Sequence, residues 1–364
     1  MSDESNTDDY LWDRRGPGDE EIVRLERLLA PRAWRPRPRR DVPRPSPASR
    51  SRLHRWRAAV AVAATLGLCV LGFQAWYVHR LQWPDAQPWR IAATEGEVTV
   101  AGAVLATNGT LAPGAVLETG TDAIARLEVA RIGELVLGGN SRFTLVETRD
   151  GRHRTRLQRG RLWARIWAPP GAFGVSTPGG DVYDLGCEFL LEANEDGSGS
   201  LAVRSGWVQV EHLAHEVLVP EGARVEFGPR GEPGIPYDQG ASATFVAALR
   251  ELHAQGRRAG PEGATVQALV AAARPRDAIS LLYLLQWHPS LRDGPVFDRL
   301  AEMMPADARV TREDLRARGR DALAPWWDAL PYPRIKRWWL QWPDAFSAGE
   351  DAGTLLRDES DEAR

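Results

Sequence analysis

The spacing of hydrophobic positions changes along the chain and divides it into regions with different predicted structures. An unbroken uncharged run, AAVAVAATLGLCVLGFQAWYV, covers residues 58–78. From about Trp89 to Phe227, apolar and polar residues alternate in short stretches between turn residues, which predicts β-strands. After Pro236 the apolar residues recur every three or four positions, which predicts helices. The pattern indicates a multi-domain protein with one long apolar helix, an all-β domain and an all-α region.

Residues 58–78 are long enough to cross a membrane once. At about 1.5 Å per residue the run reaches roughly 31 Å, which matches a hydrocarbon core of about 30 Å. A cleaved signal peptide has a shorter apolar stretch near its start, whereas 57 residues precede this run. We predict an uncleaved single transmembrane helix and therefore a membrane protein. A buried core helix of a soluble protein is the alternative.

Charge predicts the orientation of this helix. Residues 32–57 carry ten arginines and one acid, a net charge of +9, whereas only His79 and Arg80 are basic immediately after the run. The positive-inside rule therefore predicts a cytoplasmic N-terminus and an exported C-terminal bulk. Several prolines make 32–57 an extended juxtamembrane tether.

The cytoplasmic segment, residues 1–31, is acidic and carries two small apolar features. Asp19 is placed to cap a short helix that reaches about Ala30. Such a helix is marginal alone in water, so we predict that its apolar stripe packs on another protein in a helix-in-groove arrangement. The predicted partner-binding residues are Tyr10, Leu11, Trp12, Ile22, Leu25 and Leu29. A disordered tail without a partner is the alternative.

The all-β domain is predicted at residues 89–235. Ala125, Leu127 and Val129 alternate with Arg126 and Glu128, which places the apolar side chains on one face of a strand. Strands at spacings of about 8–12 residues imply a sandwich, a jelly roll or a short solenoid. Periodicity alone does not choose among these three architectures.

The all-α region is predicted at residues 240–345, and a disordered acidic tail follows at 346–364. Breakers such as Pro275, Pro289 and Pro305 separate most of the helices. Helices are expected near 265–274, 276–287, 295–304 and 311–327. Short antiparallel helices pack as a small bundle or a repeat-like stack. The tryptophans of this region favour packing between helices, with an exposed aromatic surface as the alternative.

Five segments of the β domain follow one another in an order that resembles the FecR family, membrane-anchored regulators of sigma factors. The segments are LETG (117–120), LQRGRLWARI (157–166), VSTPGGDVYDLGCEFLLE (175–192), VRSGWVQV (203–210) and VPEGARVEF (219–227). The resemblance covers only about residues 89–230. It implies a structural role for Thr177, Pro178, Gly186, Cys187, Phe189 and Gly206.

One position departs from the family pattern. Cys187 stands where the family usually has threonine. The two side chains are similar in size, so a buried packing role fits both. A reactive thiol is the alternative. A nearby histidine or lysine would favour the reactive thiolate, but none lies near Cys187 in the sequence.

The motifs predict neither an enzyme nor a cofactor or metal site. No Ser-His-Asp set, HExxH motif or paired-carboxylate pattern stands out. An i,i+3 pair on one strand points to opposite faces, so His212 and His215 are predicted as surface residues. The whole chain has a net charge of −3, residues 1–31 carry −5 and residues 32–57 carry +9. The exported part therefore carries a net charge of −7. This acidic balance does not favour a nucleic-acid partner.

The resemblance implies a single-pass protein of a bacterial inner membrane with its bulk in the periplasm. Such a protein senses an envelope signal and sequesters or releases a cytoplasmic extracytoplasmic-function sigma factor. The helical region departs from the small mixed α/β subdomain that ends receptor-sensing members, and the cytoplasmic segment is shorter than theirs. An envelope scaffold is the alternative, with exported domains that bind an envelope protein or cell-wall ligand and no sigma partner.

Overall fold

The computed structural model describes residues 20–32, 52–106, 108–213, 215–258, 260–332, 352–353 and 356. The chain divides into two compact units, Met1–Gly72 and Phe73–Arg364. The first unit contains a short N-terminal helix and most of a long apolar helix. The second contains the β-strands and the C-terminal helices.

The N-terminal helix α1 covers Glu20–Leu29, and a 3₁₀ turn over Ala30–Arg32 follows it. Acidic residues occupy its first turn and Arg27 its last turn, so both ends have charges that interact favourably with the helix dipole. Pro31 lacks the backbone N–H that another α-helical turn requires. The helix therefore stays short.

The long helix α2 covers Arg52–Leu81. Its side chains are exposed throughout residues 61–76, including Leu66 at 61% and Leu68 at 71%. Among the described residues, no helix has the length and hydropathy required of a membrane span. The side chains of residues 58–60 and 77, part of the predicted span, lie outside the described residues. The single-pass prediction is thus not confirmed and stays a prediction.

The β-strands form two sheets that share one strand. The first sheet contains, in spatial order, β4 (Gly109–Leu111), β1 (Trp89–Glu95), β6 (Ile124–Val129), β7 (Gly133–Leu137), β9 (Arg152–Ile166), β12 (Cys187–Ala193), β13 (Gly199–Ser205), β16 (Ala223–Phe227) and β17 (Tyr237–Asp238). The second contains β3 (Ala103–Val104), β2 (Val98–Val100), β5 (Val116–Thr119), β8 (Arg142–Arg149), β9, β10 (Phe173–Thr177), β11 (Gly180–Asp184), β14 (Trp207–His212) and β15 (His215–Pro220). Neighbouring strands are antiparallel except β9 and β10, which run parallel.

Strand β9 passes from one sheet to the other at Gly160. Its first half pairs with β8 and β10 in the second sheet, and its second half pairs with β7 and β12 in the first. Gly160 has a φ of +102°, and a Cβ atom there would overlap Ser141. Glycine is the residue that combines this conformation with so close an approach.

One hydrophobic core lies between the two sheets. Ala125, Leu127 and Val129 of the first sheet are buried, as their alternation predicts, and Val208 and Val210 of the second sheet belong to the same cluster. The all-β prediction is confirmed. Each sheet turns one face to this shared core, which is the arrangement of a sandwich, one of the three architectures that periodicity left open.

The C-terminal region is helical, as predicted. Its helices are α3 (Ala243–Gln255), α4 (Ala264–Ala272), α5 (Ala278–Trp287), α6 (Pro295–Met303), α7 (Arg312–Arg318) and α8 (Ala324–Ala329). Ser242 caps α3 by accepting a hydrogen bond from the N–H of Phe245. Trp326 is buried between helices, which agrees with the packing role expected of the tryptophans. Trp338, Trp339 and Trp342 lie outside the described residues.

Two local predictions were wrong. The helix expected at 311–327 is interrupted, because Gly319 ends α7 with a φ of +61° and a 3₁₀ segment precedes α8. His212 and His215 lie opposite each other on β14 and β15 and not on one strand, although His215 is exposed and His212 partly exposed, as predicted for surface residues. Directly paired residues of two strands share a face of the sheet.

Helix α5 is anchored to strand β15 by one side chain. The Tyr283 hydroxyl accepts a hydrogen bond from the Leu218 N–H at 2.7 Å and donates one to the Leu218 carbonyl oxygen at 3.3 Å. At a second contact, the Arg274 guanidinium lies 2.9 Å from Asp238 of β17 and 2.9 Å from Asp277. These contacts attach the helical region to the β-strands within the second unit.

Candidate functional site

Helix α1 presents an exposed apolar face. Leu25 is 55% exposed, Leu28 64% and Leu29 59%, and Ile22 is half-buried. Residues three and four apart lie on one side of a helix, so these side chains form a single stripe. Tyr10, Leu11 and Trp12, the other predicted partner-binding residues, lie outside the described residues.

The α1 stripe is suited to binding a hydrophobic groove. Burial of a leucine side chain stabilises a complex by about 1.5–3 kcal/mol relative to full exposure. Leu25, Leu28 and Leu29 are already more than half exposed, so most of that contribution is available to a partner. Leu28 belongs to the same stripe, as the helical spacing of the sequence predicts.

The predicted motif residues begin in the turn between β10 and β11. The Thr177 hydroxyl donates a hydrogen bond to the Gly180 carbonyl at 2.9 Å and accepts one from the Gly179 N–H at 3.1 Å. Pro178 is exposed between them. These bonds hold a tight turn.

The second part of the motif is a buried carboxyl group beside a thiol. Asp184 accepts a hydrogen bond from the Gly186 N–H at 2.9 Å, and Gly186 has a φ of +89°. The Cys187 thiol donates a second hydrogen bond to the same carboxyl. Burial raises the pKa of Asp184 to about 8 and holds the pKa of Cys187 well above its ordinary value. A buried thiol with a raised pKa is unreactive, which contradicts the reactive-thiol alternative.

The remaining motif residues are structural as well. Phe189 is fully buried in the core. Gly206 has a φ of +77° in the turn between β13 and β14, and its N–H lies 3.5 Å from a carboxylate oxygen of Glu221. The predicted motif residues therefore support the β domain, and they do not converge on one ligand site.

A groove that the sequence predictions missed lies on the outer face of the second sheet. It has a volume of about 270 Å³ and its lining includes Arg152, Arg154, Arg156, Asp181 and Tyr183. The three arginines alternate along β9, so the strand pattern could have revealed that they share a face.

Two of the three arginines of the groove already bind acids or carbonyl groups. Arg152 lies 3.0 Å from Glu147. Arg154 donates to the carbonyl oxygens of Gly171 and Ala172 and stacks over Tyr183 with its Cζ 5.4 Å from the ring centroid. Burial lowers the pKa of Arg154 and raises the pKa of Tyr183. The arrangement stabilises the sheet surface and leaves few guanidinium donors for an anion.

The described residues contain no group of three or more His, Cys, Asp or Glu side chains that could hold a metal ion. Three histidines do approach Trp287: the rings of His215 and His253 lie 5.5 Å from it, and His288 lies 5.7 Å from His253. Burial lowers the pKa of both His253 and His288. This cluster joins β15 to the helices.

Known proteins resemble part of this chain. Residues 115–209 match the family described as FecR protein. Two crystal structures of a proposed anti-sigma factor from Parabacteroides distasonis, at 1.65 and 2.50 Å resolution, are similar to it with 18% sequence identity and a TM-score of 0.31. The alignments cover 36% of this chain and 63% and 62% of the solved chains, which is less than two thirds of their length. No curated protein matches the sequence.

The family match falls on the part of the β domain that carries the predicted motifs. Residues 115–209 include the Thr177 turn, the buried Asp184 and Cys187, and the turn at Gly206. They also include β9, the strand that joins the two sheets. The similarity to the FecR family therefore lies within the β domain, over residues 115–209.

Proposed function

We propose that this chain is a regulator that holds a cytoplasmic sigma factor through its N-terminal segment and receives an envelope signal through its β and helical regions. The observation that carries the proposal is the exposed leucine stripe of α1. In the sequence, α1 precedes the apolar helix α2, and the residues that match the FecR family follow α2. The sigma factor is proposed as the partner because residues 115–209 match the FecR family. The mechanism is sequestration, without catalysis.

Helix α2 serves in this proposal as the membrane anchor. Its residues 61–76 are exposed, and the large side chains among them, such as Val62 and Leu71, are apolar. A helix that is apolar on every side needs an apolar environment around it. The +9 charge of residues 32–57 favours a cytoplasmic N-terminus, with the FecR domain in the periplasm.

Helix-in-groove binding supports release as well as capture. A ten-residue helix is marginal alone, so α1 gains much of its order from the partner. Any event that removes or shields α1 therefore frees the sigma factor. Because a single span transmits a rigid-body change poorly, proteolytic cleavage or a change in dimerisation is the route that we propose.

The experiment that tests sequestration uses the full chain in detergent or nanodiscs with purified sigma factors of the host. We expect one sigma factor to bind, and Leu25→Asp to weaken that binding by about tenfold or more, which corresponds to about 1.4 kcal/mol. Arg27→Gln, a change on the opposite side of α1, is the matched control and leaves binding unchanged. Binding that is indifferent to Leu25→Asp would contradict the proposal.

Orientation has its own test. Protease added to intact spheroplasts is expected to degrade the FecR domain and to spare an epitope placed at the N-terminus. Degradation of the FecR domain only after lysis would overturn the proposed topology.

An envelope scaffold is the second candidate. The large size of the β and helical part favours a role in binding envelope components, whereas α1 has only ten residues. Absence of any sigma factor in the capture experiment, together with the exported topology, would select this second candidate.

A further inference from the structure

The last turns of α2 are bonded to one end of the β domain. They belong to the same compact unit as the strands, which begins at Phe73. The Arg131 guanidinium donates hydrogen bonds to the carbonyl oxygens of His79 and Gln82, at 3.1 Å each. Basic side chains are favourable partners for the last carbonyl groups of a helix. Arg131 therefore fixes the end of α2 to the turn between β6 and β7.

A second turn holds the segment that leaves the helix. The Gly151 N–H, between β8 and β9, donates to the Leu81 carbonyl oxygen at 3.1 Å, and the Ala86 N–H donates to the Thr148 carbonyl oxygen at 3.0 Å. Trp83 lies between these two bonds in the sequence and packs, partly buried, against the main core. The segment between α2 and β1 is thus bonded to the domain at its start and near its middle.

A third contact places an indole ring against the helix itself. Trp167, in the loop between β9 and β10, has its ring centroid 5.8 Å from that of Trp76 of α2. The Trp167 backbone N–H donates to the Ile132 carbonyl oxygen at 2.7 Å, so this loop lies beside the turn that carries Arg131. The contacts with α2 therefore come from one end of the sandwich. We define the helix-proximal end of the β domain as the segments 130–132, 149–152 and 167–172.

Distances along α2 determine how close this end comes to a bilayer that the helix crosses. The predicted span ends at Val78, and Trp76 lies inside it. At about 1.5 Å per residue, Leu81 is only about 5 Å beyond Val78 along the helix axis. The headgroup region extends roughly 5–8 Å on each side of the hydrocarbon core. A helix anchored over 58–78 therefore brings Trp167 into that region, because its ring contacts Trp76.

The charge of the helix-proximal end suits a headgroup environment. Its charged residues are Arg131, Arg149, Arg152 and Asp150, a net charge of +2, although the exported part as a whole carries −7. The excess stays positive when Glu147, which binds Arg149 and Arg152, is included. A basic surface is attracted to anionic lipid headgroups.

The helix-proximal end also has free apolar surface. Trp76 is 38% exposed, Trp167 is partly exposed and Pro170 is exposed. Tryptophan is enriched at membrane interfaces, where its ring contacts the apolar side and its N–H the polar side. The two indole rings and the arginines thus lie together where the helix enters the domain.

We propose that the helix-proximal end of the β domain lies in the headgroup layer of the phospholipid bilayer and holds the domain in one orientation at the membrane surface. The inference rests on the role of α2 as a membrane anchor, which is part of the proposed function. Trp167 and Pro170 supply apolar contacts with the interface, and the exposed arginines contact lipid phosphate groups. The bilayer is then a direct partner of the β domain and not of α2 alone.

The test measures how close two labelled positions of the full chain come to the lipid headgroups. Pro170→Cys labels the helix-proximal end, and Leu213→Cys labels the turn between β14 and β15. Both are made in a chain in which Cys69→Ala removes the exposed native thiol, while Cys187 is buried and stays unlabelled. Each chain carries the fluorophore NBD in vesicles of phosphatidylcholine and phosphatidylglycerol that contain a lipid with a nitroxide headgroup.

We expect the nitroxide lipid to quench the label at position 170 at least about twofold more strongly than the label at 213, because β10, about 16 Å long, separates the two. Leu213 is the matched control, because it is 95% exposed. Its neighbour His212 lies 3.0 Å from the Gly179 carbonyl oxygen, at the end of β10 away from position 170.

Trp167 variants assign the contact to the indole ring. Trp167→Glu is expected to reduce the quenching at 170 by about half or more, because a carboxylate is disfavoured beside anionic lipids, whereas Trp167→Phe retains it. Circular dichroism and thermal unfolding establish that the variants are folded, and Trp167→Ser replaces the glutamate variant if that one is not.

Flotation of the vesicles after an alkaline carbonate wash tests the anchor separately. Loss of the chain from the floating vesicles would overturn the anchor role of α2 and this inference with it. In chains that float, equal quenching at the two positions, or quenching that Trp167→Glu leaves unchanged, would overturn this inference alone.

Discussion

The Cys187 thiol donates a hydrogen bond to the carboxyl group of Asp184, and both side chains are fully buried. The same carboxyl accepts the Gly186 N–H. A turn with a positive φ at Gly186 brings the two side chains together at the start of β12. The position at which the sequence departs from the family pattern is thus one that requires a hydrogen-bond donor.

Substitutions at Cys187 test this requirement. Cys187→Thr retains a donor of similar size, so we expect a free energy of unfolding within about 1 kcal/mol of the unchanged chain. Cys187→Val removes the thiol donor from the buried carboxyl group, which is expected to lower the free energy of unfolding by about 1–3 kcal/mol. Urea unfolding measures both, and equal stability of the valine and threonine variants would contradict the role of the hydrogen bond.

Asp184 gives stability an unusual dependence on pH. Its folded pKa of about 8 lies above the ordinary aspartate value of 3.8, so the folded state holds the proton more tightly than the unfolded state does. The stabilisation of the folded state by protonated Asp184 is complete below about pH 4, and it is lost as pH rises toward 8. We expect Asp184→Asn, which cannot ionise, to remove this alkaline loss in unfolding curves measured from pH 5 to 8. An unchanged pH slope in the variant would refute the expectation.

His153 acts in the opposite direction. Burial, and secondarily Arg154, lowers its pKa from 6.5 to about 4, and its Nδ1 lies 2.8 Å from the Thr148 hydroxyl, which also accepts the Trp89 indole N–H at 2.9 Å. The unfolded state binds a proton first as pH falls, so stability is lost between about pH 6.5 and pH 4.

The His153→Gln variant isolates this effect. Glutamine retains a polar side chain and does not titrate, so the difference in unfolding free energy between it and the unchanged chain should shrink as pH falls from 6.5 to 4. Asp184 still titrates in both chains and cancels in the comparison. A difference that does not vary with pH would show that His153 does not titrate in this window.

Gly160 is required where β9 changes sheets. Gly160→Ala combines a positive φ with overlap of the buried Ser141, and we expect it to destabilise the domain by about 3 kcal/mol or more. Gly114→Ala is the matched control, since Gly114 has a φ of +84° and open space around it. The free energy of unfolding of that variant should fall by only about 1–2 kcal/mol, because alanine at a positive φ is strained but meets no other atom. Comparable melting temperatures for the two variants would contradict the role given to Ser141.

Tyr283 attaches the helices to strand β15 of the β domain. Tyr283→Phe removes the hydroxyl that accepts the Leu218 N–H at 2.7 Å. We expect the free energy of unfolding to fall by about 1–3 kcal/mol and proteolysis at the start of the helical region to become faster. Tyr332→Phe is the control, because its hydroxyl binds the Arg276 carbonyl at 2.9 Å in an exposed position. Equal proteolysis of both variants would indicate that Tyr283 is not the anchor.

Alternation along the strands predicted the core of the β domain but not its second cluster. Leu162, Ala164 and Ile166 share the inward face that their spacing indicates, and all three are fully buried. Trp163 lies on the other face, where the pattern alone predicts solvent. It is only 2% exposed, because it belongs to a second hydrophobic cluster, which includes Leu356 from far along the chain, and Arg165 stacks over its ring.

The sequence by itself determined the succession of apolar helix, strands and helices, the shared face of the α1 leucines, and the FecR motifs. These follow from local periodicity, because the spacing of apolar residues records which side of an element is buried. Only the tertiary structure decided that β9 joins both sheets, that Asp184 is buried beside Cys187, and that Leu356 shares a hydrophobic cluster with Trp163. Each depends on which distant segment packs on a given surface, and local spacing carries no record of that partner.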